Sequence, residues 1–408
     1  MNGRQGFSLF GPVGLWAALL SGIVVAWSPR YWAVSVAITS ISIAVVCWLV
    51  ASWLIPSRNI NLPHQTALVA LIGAWGFLQI AFRTTLLPQL TLDSSVVWAV
   101  SAGAFVLGSQ LLRNRSARKL FLELLLWSLT ALAVIAMLQF YSTPVRVFGI
   151  FPAPDGVTGT FLSSNQFAAL MEFAAPIALW YMLDRNPATG GLCYAMILAA
   201  TITAASRAGV VLVCAELMVF LGMVLVARRR EARVILSLFA GLALLVSVAA
   251  TIAGTDKIRA RFRDRNPYAV RRELFDSTLK LIAERPWSGS GMGTWRAVYP
   301  RTATFDMAVL ANEAHNDWAQ WTSDGGIPFL LLMAALVIWI AKPAVQSIWG
   351  LGVLSVMAHS CVDYPIREPA LSFLWFALAG VVSQFDGRNS VLKGRIRADG
   401  RPVLVVDT

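Results

Sequence analysis

Charge is what this sequence has least of. Asp, Glu, Lys and Arg together make up 13% of its 408 residues, while 57% are hydrophobic; soluble domains carry ~25% charged residues. That shortage excludes a disordered chain and an ordinary water-facing globule. Cysteine is also scarce. The four (Cys47, Cys193, Cys214 and Cys361) lie in or beside apolar stretches and show no C-x-x-C spacing, which argues against a disulfide scaffold and a thiolate metal site. Histidine occurs three times, and 21 acidic residues face 33 basic ones, a formal charge of +12. Such an excess has two readings: a basic surface for an acidic partner such as nucleic acid, or the cytoplasmic rim of a membrane protein.

What the sequence has in quantity is apolar runs. Stretches such as "LLWSLTALAVIAML" and "LLLMAALVIWIA" recur along the chain, and ~20 mostly apolar residues suffice to span a bilayer. The runs predict an all-α polytopic membrane protein of twelve spans, at 9–27, 33–54, 66–82, 95–112, 120–140, 161–183, 191–205, 208–226, 234–253, 325–341, 345–361 and 370–385. Residues 254–324 then form one long loop, and 386–408 a polar, basic, poorly ordered tail. Arg4 before the first run, with no convincing cleavage site, reads as a retained helix rather than a signal peptide. No internal repeat is evident.

The short loops orient the bundle. One set, with the two termini, holds seventeen basic residues, among them Arg58, Arg113, Arg115, Arg118, Lys119, Arg185, Arg228, Arg229, Arg230, Arg233 and Lys342; the opposite set holds Arg30, Arg83, Arg146, Arg207 and Arg367. The positive-inside rule puts both termini in the cytoplasm and the long loop outside. On this topology the cytoplasmic segments carry the whole +12. The excess is then an orientation signal, and a nucleic-acid surface loses its support.

Polar residues on the outer side stand out against this background. Two spans share only residues 191–226, so the break at "AASRAG" should sink Arg207 below the outer surface, where a cation is costly and usually functional. A snorkelling arginine is the plain alternative. In the long loop, Asn266-Pro267 looks like an N-cap and N1 pair. It leads into "YAVRRELFDSTLKLIAE", whose Val270, Leu274, Leu281 and Ile282 keep a helical period up to Pro286. The arginine-dense "DKIRARFRDR" upstream reads mainly as a solvated face. In "RPWSGSGMGTW" the glycines at 289, 291 and 293 would allow a backbone cradle for an anion, though a structural turn is the more frequent use. His315 lies beside Glu313 and Asp317, acids placed to orient it, and histidine is the residue type suited to proton transfer near neutrality. His359, Asp363 and Arg367 mark the outer end of the eleventh span, where a structural turn is at least as good a reading as a function. Glu172 and Glu216 lie within spans and need partners.

Taken together these segments resemble the O-antigen ligase and polymerase superfamily of bacterial envelope glycosyltransferases. The matching pieces, in family order, are "GTFLSSNQFAALMEFAAPIAL" (159–179), "AASRAG" (204–209), "RRELFDSTLKLIAERPWSGSGMGTW" (271–295), "EAHNDWAQWTSDGGIP" (313–328) and "HSCVDYPIREPA" (359–370). Departures occur at Ser163-Ser164-Asn165, at Pro286-Trp287-Ser288-Gly289 and at Ile327-Pro328-Phe329. The resemblance divides the chain into N-terminal helices (1–150), a ligase-like catalytic membrane domain (151–385) and the tail (386–408).

The resemblance implies a metal-independent, cofactor-free glycan transfer at the periplasmic face of the bacterial inner membrane. The donor would be a glycan on undecaprenyl pyrophosphate. The acceptor would be lipid A-core, as in a ligase, or a second lipid-linked repeat, as in an O-antigen or exopolysaccharide polymerase. Arg207 and Arg271 are the candidates for the pyrophosphate, with Arg272 as the alternative in register, and His315 for the base. Asn165, Gln166, Asn316 and Gly291 are candidates for lining the substrate path. A secondary transporter or flippase is the reading from another class; the missing repeat and the ~70-residue outer loop weigh against it.

Overall fold

The computed structural model describes residues 3–54, 60–142, 144–154, 157–227, 269–303 and 311–385, isolated positions within 240–263, and the short segments 394–396 and 402–404. Its helices are α1 (Gly3–Val25), α2 (Tyr31–Leu54), α3 (Gln65–Ala81), α4 (Pro88–Leu111), α5 (Arg115–Phe140), α6 (Ser164–Asp184), α7 (Pro187–Thr203), α8 (Arg207–Ala227), α9 (Ala269–Glu284), α10 (Trp295–Val298), α11 (Asp317–Val345), α12 (Leu351–His359) and α13 (Pro369–Val382). Among the described residues, six helices are long and apolar enough to cross a membrane, and five more apolar helices are shorter. The ninth expected span (234–253) lies largely outside the described residues. So do Arg228, Arg229, Arg230 and Arg233, the pair Asn266-Pro267, and nearly all of "DKIRARFRDR".

α6 is enclosed by α5, α7, α8 and α12, and its side chains from Gln166 to Trp180 are buried throughout. Small residues set the closest approaches. A Cβ at Gly108 of α4 would overlap the Ala377 carbonyl of α13, and one at Gly380 would overlap the Phe105 carbonyl. Backbones that close are the usual outcome of small residues at membrane helix interfaces. A Ser101–Ser372 hydroxyl pair at 3.0 Å adds a polar tie between the same two helices.

The two ends of the bundle differ. At one end Lys119 pairs with Asp184 (2.6 Å), Arg185 with Glu123 (2.6 Å), and the Arg118 guanidinium lies over the Phe385 ring. The α6–α7 and α7–α8 connections fall at opposite ends, so the break at Ala204–Ser206 faces away from those basic residues. The other end gathers α9, α10, the start of α11 and the α12–α13 connection. Here α9 buries Leu274, Ser277, Thr278 and Leu281, the first and last against Trp295, Val298, Tyr299 and Ala314. Val270, expected on its apolar face, is exposed.

Two expectations need correction. The tenth expected span belongs to α11, which starts at Asp317, not 325, and breaks at Gly326 (φ 78°, ψ 172°). The Asn316 side chain accepts from Ala319 N–H (3.0 Å) and caps the early turn, so helix forms before the apolar run begins. In the tail, Gly394–Ile396 and Pro402–Leu404 pair as a two-stranded antiparallel ribbon.

Candidate active site

The α12–α13 connection is the centre of the site, and its depth follows from short helices. The 3₁₀ turn Ile348–Gly350 plus α12 is 12 residues, about 18 Å at 1.5 Å per residue, and α13 is 14 residues. Both fall short of a ~30 Å hydrocarbon core. The connection is no α-helix: it holds a single 3₁₀ turn begun by Pro365 (Pro365–Arg367), and Pro369 opens α13. Residues 360–368 therefore fold back into the end of the bundle, and Asp363 is 2% exposed.

Three elements converge on that carboxyl. From α9, Arg271 Nη2 pairs with Asp363 Oδ2 at 2.7 Å, and its Nη1 donates to the Val362 carbonyl at 2.8 Å. From the first turn of α6, the Asn165 amide donates to the same Oδ2. Ahead of α11, His315 Nδ1 stands 3.6 Å from Oδ1, about 0.6 Å beyond a good hydrogen bond. Oδ1 also accepts from Tyr364 N–H. Burial pushes the Asp363 carboxyl up. The close approach of His315 and the charges of Arg271, His315 and His359 outweigh that and hold it below the usual carboxylate range.

His315 occupies a left-handed backbone conformation (φ 53°), uncommon for a residue with a side chain and a mark of functional positions. The Gln320 side chain, which accepts from Ala314 N–H (2.8 Å), and the Asn316 cap fix the chain on either side of it. The imidazole meets the Tyr364 ring edge-on at 4.9 Å. With Nδ1 buried toward Asp363, Nε2 is the nitrogen left to face a substrate.

The acids beside His315 in sequence do not orient it. Glu313 pairs with Arg367 (3.2 Å) and accepts from the Gln320 amide. Asp317 is buried and accepts from the Ser360 hydroxyl and Ile366 N–H, each at 3.0 Å, which ties α11 to the 360–366 connection. Glu172 has a partner: His359 Nδ1 lies 2.6 Å from its carboxyl, both side chains fully buried. His359 in turn accepts Asp363 N–H on its carbonyl (3.0 Å).

Arg207 opens α8. Ala205, at φ 56°, breaks the chain between α7 and α8, the Ser206 hydroxyl accepts from Gly209 N–H (3.2 Å), and Gly209 packs on Ala168 of α6, one turn beyond Asn165. Arg207 thus lies at the same end of the bundle as the Asp363 cluster. Arg271 is half-buried and faces the cluster, whereas Arg272, rotated 100° about α9, is exposed. Gln166 lines a neighbouring cavity. The Asn316 side-chain oxygen is engaged in its cap.

The glycine loop is a joint and not an anion cradle. Every backbone N–H from 289 to 295 has a protein acceptor: those of Gly289 and Thr294 within the segment, Ser290 and Gly291 on the Ser323 and Asp324 carbonyls, Met292 on Gln79 Oε1, and Gly293 and Trp295 on the Asp324 carboxylate. The glycines allow two backbones to touch. A Cβ at Gly289 would overlap the Asp324 carbonyl, and one at Gly326 the Trp287 carbonyl. Gly291, read as a substrate residue, packs on Thr85 and Thr91.

Asp363 is the residue that sequence reasoning undervalued, and Gln79, which ties α3 to this joint, was not singled out. For Asp363 the signals were an acid in a proline-broken connection and its place in the family-like segment "HSCVDYPIREPA". No curated protein matches the chain. The family model described as O-antigen ligase matches residues 192–334, and this stretch, which carries Arg207, Arg271 and His315, belongs to the O-antigen ligase and polymerase family.

Proposed function

We propose that the chain transfers a glycan from an undecaprenyl-pyrophosphate donor to an acceptor hydroxyl at the outer face of the inner membrane. The observation that carries this reading is the joining of Arg271, Asn165 and His315 on one buried carboxylate. Members of the matched family are glycan-transferring ligases and polymerases, and the chemistry of the cluster fits that reaction. His315 Nε2 accepts the proton of the acceptor hydroxyl, and the acceptor oxygen bonds to the anomeric carbon. The anomeric C–O bond breaks, and its electron pair leaves with the pyrophosphate. Asp363 stabilises the imidazolium and fixes which ring nitrogen is free, as the acid of a Ser-His-Asp triad does. Arg271 and Arg207 supply guanidinium forks for the pyrophosphate, Arg271 by releasing part of its pairing to the Asp363 loop.

The test is glycan transfer by the full-length chain in membrane vesicles supplied with lipid-linked donor. His315→Ala and Arg271→Ala should each lower turnover by about 10²–10⁴-fold. Arg207→Lys should lower it less than Arg207→Ala, since charge remains without the fork. Full activity in His315→Ala and Arg271→Ala would overturn the reading. Movement of solute with no new covalent linkage would establish a transporter instead.

A further inference from the structure

Beneath the Asp363 cluster lies an ionisable pair that the transfer chemistry leaves unused. Glu172 of α6 and His359, the last residue of α12, meet at 2.6 Å, and both are fully buried. Glu172 stands eight residues past the start of α6, about 12 Å along it at 1.5 Å per residue. Ionisable groups at such depth in a membrane bundle are costly and seldom idle. Stability does not account for this pair. Its one contact joins Glu172 Oε1 to His359 Nδ1; Glu172 Oε2 and His359 Nε2 are buried and make no hydrogen bond among the described residues. Polar atoms left unsatisfied in a buried pair offset what the contact returns. Apolar side chains of similar volume would hold two helices together as well or better. What an apolar pair cannot do is fix one register, because hydrogen bonds are directional and apolar burial is not.

Register matters here because of what else the two helices carry. Asn165 and Glu172 are seven residues apart on α6, two turns, so they share a face about 10 Å from each other. Asn165 donates to Asp363 Oδ2, and Glu172 holds His359. His359 and Asp363 are joined in turn through the backbone: the His359 carbonyl accepts from Val362 N–H (2.9 Å) and Asp363 N–H (3.0 Å). One face of α6 therefore grips the 359–363 turn at both ends. The backbones meet at the same level. Pro176 has no N–H to give the Glu172 carbonyl, and a Cβ at Gly352 of α12 would overlap that carbonyl. A slip of α12 by one residue, about 1.5 Å, would carry Asp363 away from Asn165, Arg271 and His315 together.

We propose that Glu172 and His359 are a positioning pair for the transfer reaction: their contact sets α12 on α6 and so holds the Asp363 carboxylate in place behind His315. The proposal rests on the transfer reading and adds two residues that act through Asp363 without touching substrate. Both lie outside the 192–334 family match, so the frame that aims the base is built by segments flanking the matched stretch that carries it.

The test separates register from stability. Full-length chain in membrane vesicles receives an isotope-labelled undecaprenyl-pyrophosphate-linked repeat as donor with unlabelled repeat as acceptor. The assay reads kcat and donor KM, and melting in detergent is followed for the same variants. Glu172→Leu combined with His359→Leu removes the hydrogen bond without stranding a partner, so the melting temperature should stay close to that of wild type. Turnover should nevertheless fall about tenfold to hundredfold, the effect of an ångström-scale displacement in a catalytic group, with donor KM within about twofold. Glu172→Gln keeps an acceptor for His359 Nδ1–H and should retain roughly a third or more of the wild-type kcat. In an Asp363→Asn background the leucine pair should lower kcat by less than about twofold further, because effects that run through one group do not add once it is gone. If the leucine pair does not accumulate as folded protein, Glu172→Met alone carries the same comparison in both backgrounds. Wild-type kcat in the leucine pair, a loss confined to KM, Glu172→Gln as slow as the leucine pair, or an undiminished further loss in Asp363→Asn overturns this proposal alone. Absence of transfer by the wild type overturns the transfer reading and this proposal with it.

Discussion

At the scale of the residue, Asp363 does three things with one carboxyl: it anchors Arg271, holds Asn165 and faces His315. Its lowered pKa has a consequence for stability. An unfolded aspartate titrates near ~3.9; a carboxyl held lower in the fold lends stability that is complete above that value and is lost as pH falls through the folded one. The melting-temperature difference between wild type and Asp363→Asn should therefore be constant from about pH 5 to 8 and shrink only below about pH 4. Thermal unfolding in detergent across that range checks this, and a difference that collapses near neutrality would mean Asp363 is not held ionised. The same variant keeps the side chain's size but cannot accept on both oxygens as a charge. Turnover should fall about 10²–10⁴-fold, by analogy with a triad losing its acid, while the protein stays folded.

At the scale of the element, glycine controls how near the helices come. Gly108 and Gly380 face each other's helix backbone across the α4–α13 contact, and a methyl group at either must push a carbonyl away. Gly380→Ala should cost about 1–3 kcal/mol. Gly14→Ala, where nothing lies within 4 Å of the new atom, should be neutral or slightly stabilising. Paired melts of the two variants read the difference. Contacts of this kind decide what a sequence discloses. Apolar runs announced the helices, because span length is a property of the run itself. His315 and Arg271 were legible because each sits in a local pattern, one beside acids at a helix start and the other on an amphipathic helix. Asp363 was not, because its importance comes from four segments meeting over nearly 200 residues of chain, which no local pattern records. The glycine loop misled for a related reason. Glycines that free a backbone to cradle an anion and glycines that let it touch another backbone look alike until the partner, Gly326, is in place.

At the scale of the whole molecule, the separation of ends is the feature that makes a vectorial reaction possible. The Lys119–Asp184 and Arg185–Glu123 pairs mark one end, and the Asp363 cluster and its cavity the other. The positive-inside rule predicts from that separation an orientation with the cluster outside, and Cys361 offers a direct test of it. This thiol is exposed in the connection that carries Asp363, two residues from that carboxyl. Its neighbours in the fold still partly desolvate it and, with the charge of Asp317, push its pKa up, so thiolate, the reacting form, is scarce near neutrality and labelling should be slow there and faster as pH rises. In a variant with Cys47, Cys193 and Cys214 replaced by serine, a membrane-impermeant maleimide added to intact spheroplasts at alkaline pH should modify Cys361. Labelling only after the membrane is opened would put the cluster on the cytoplasmic side. There a donor presented at the outer leaflet could not reach His315, and the orientation and the transfer reaction proposed for that face would fall together.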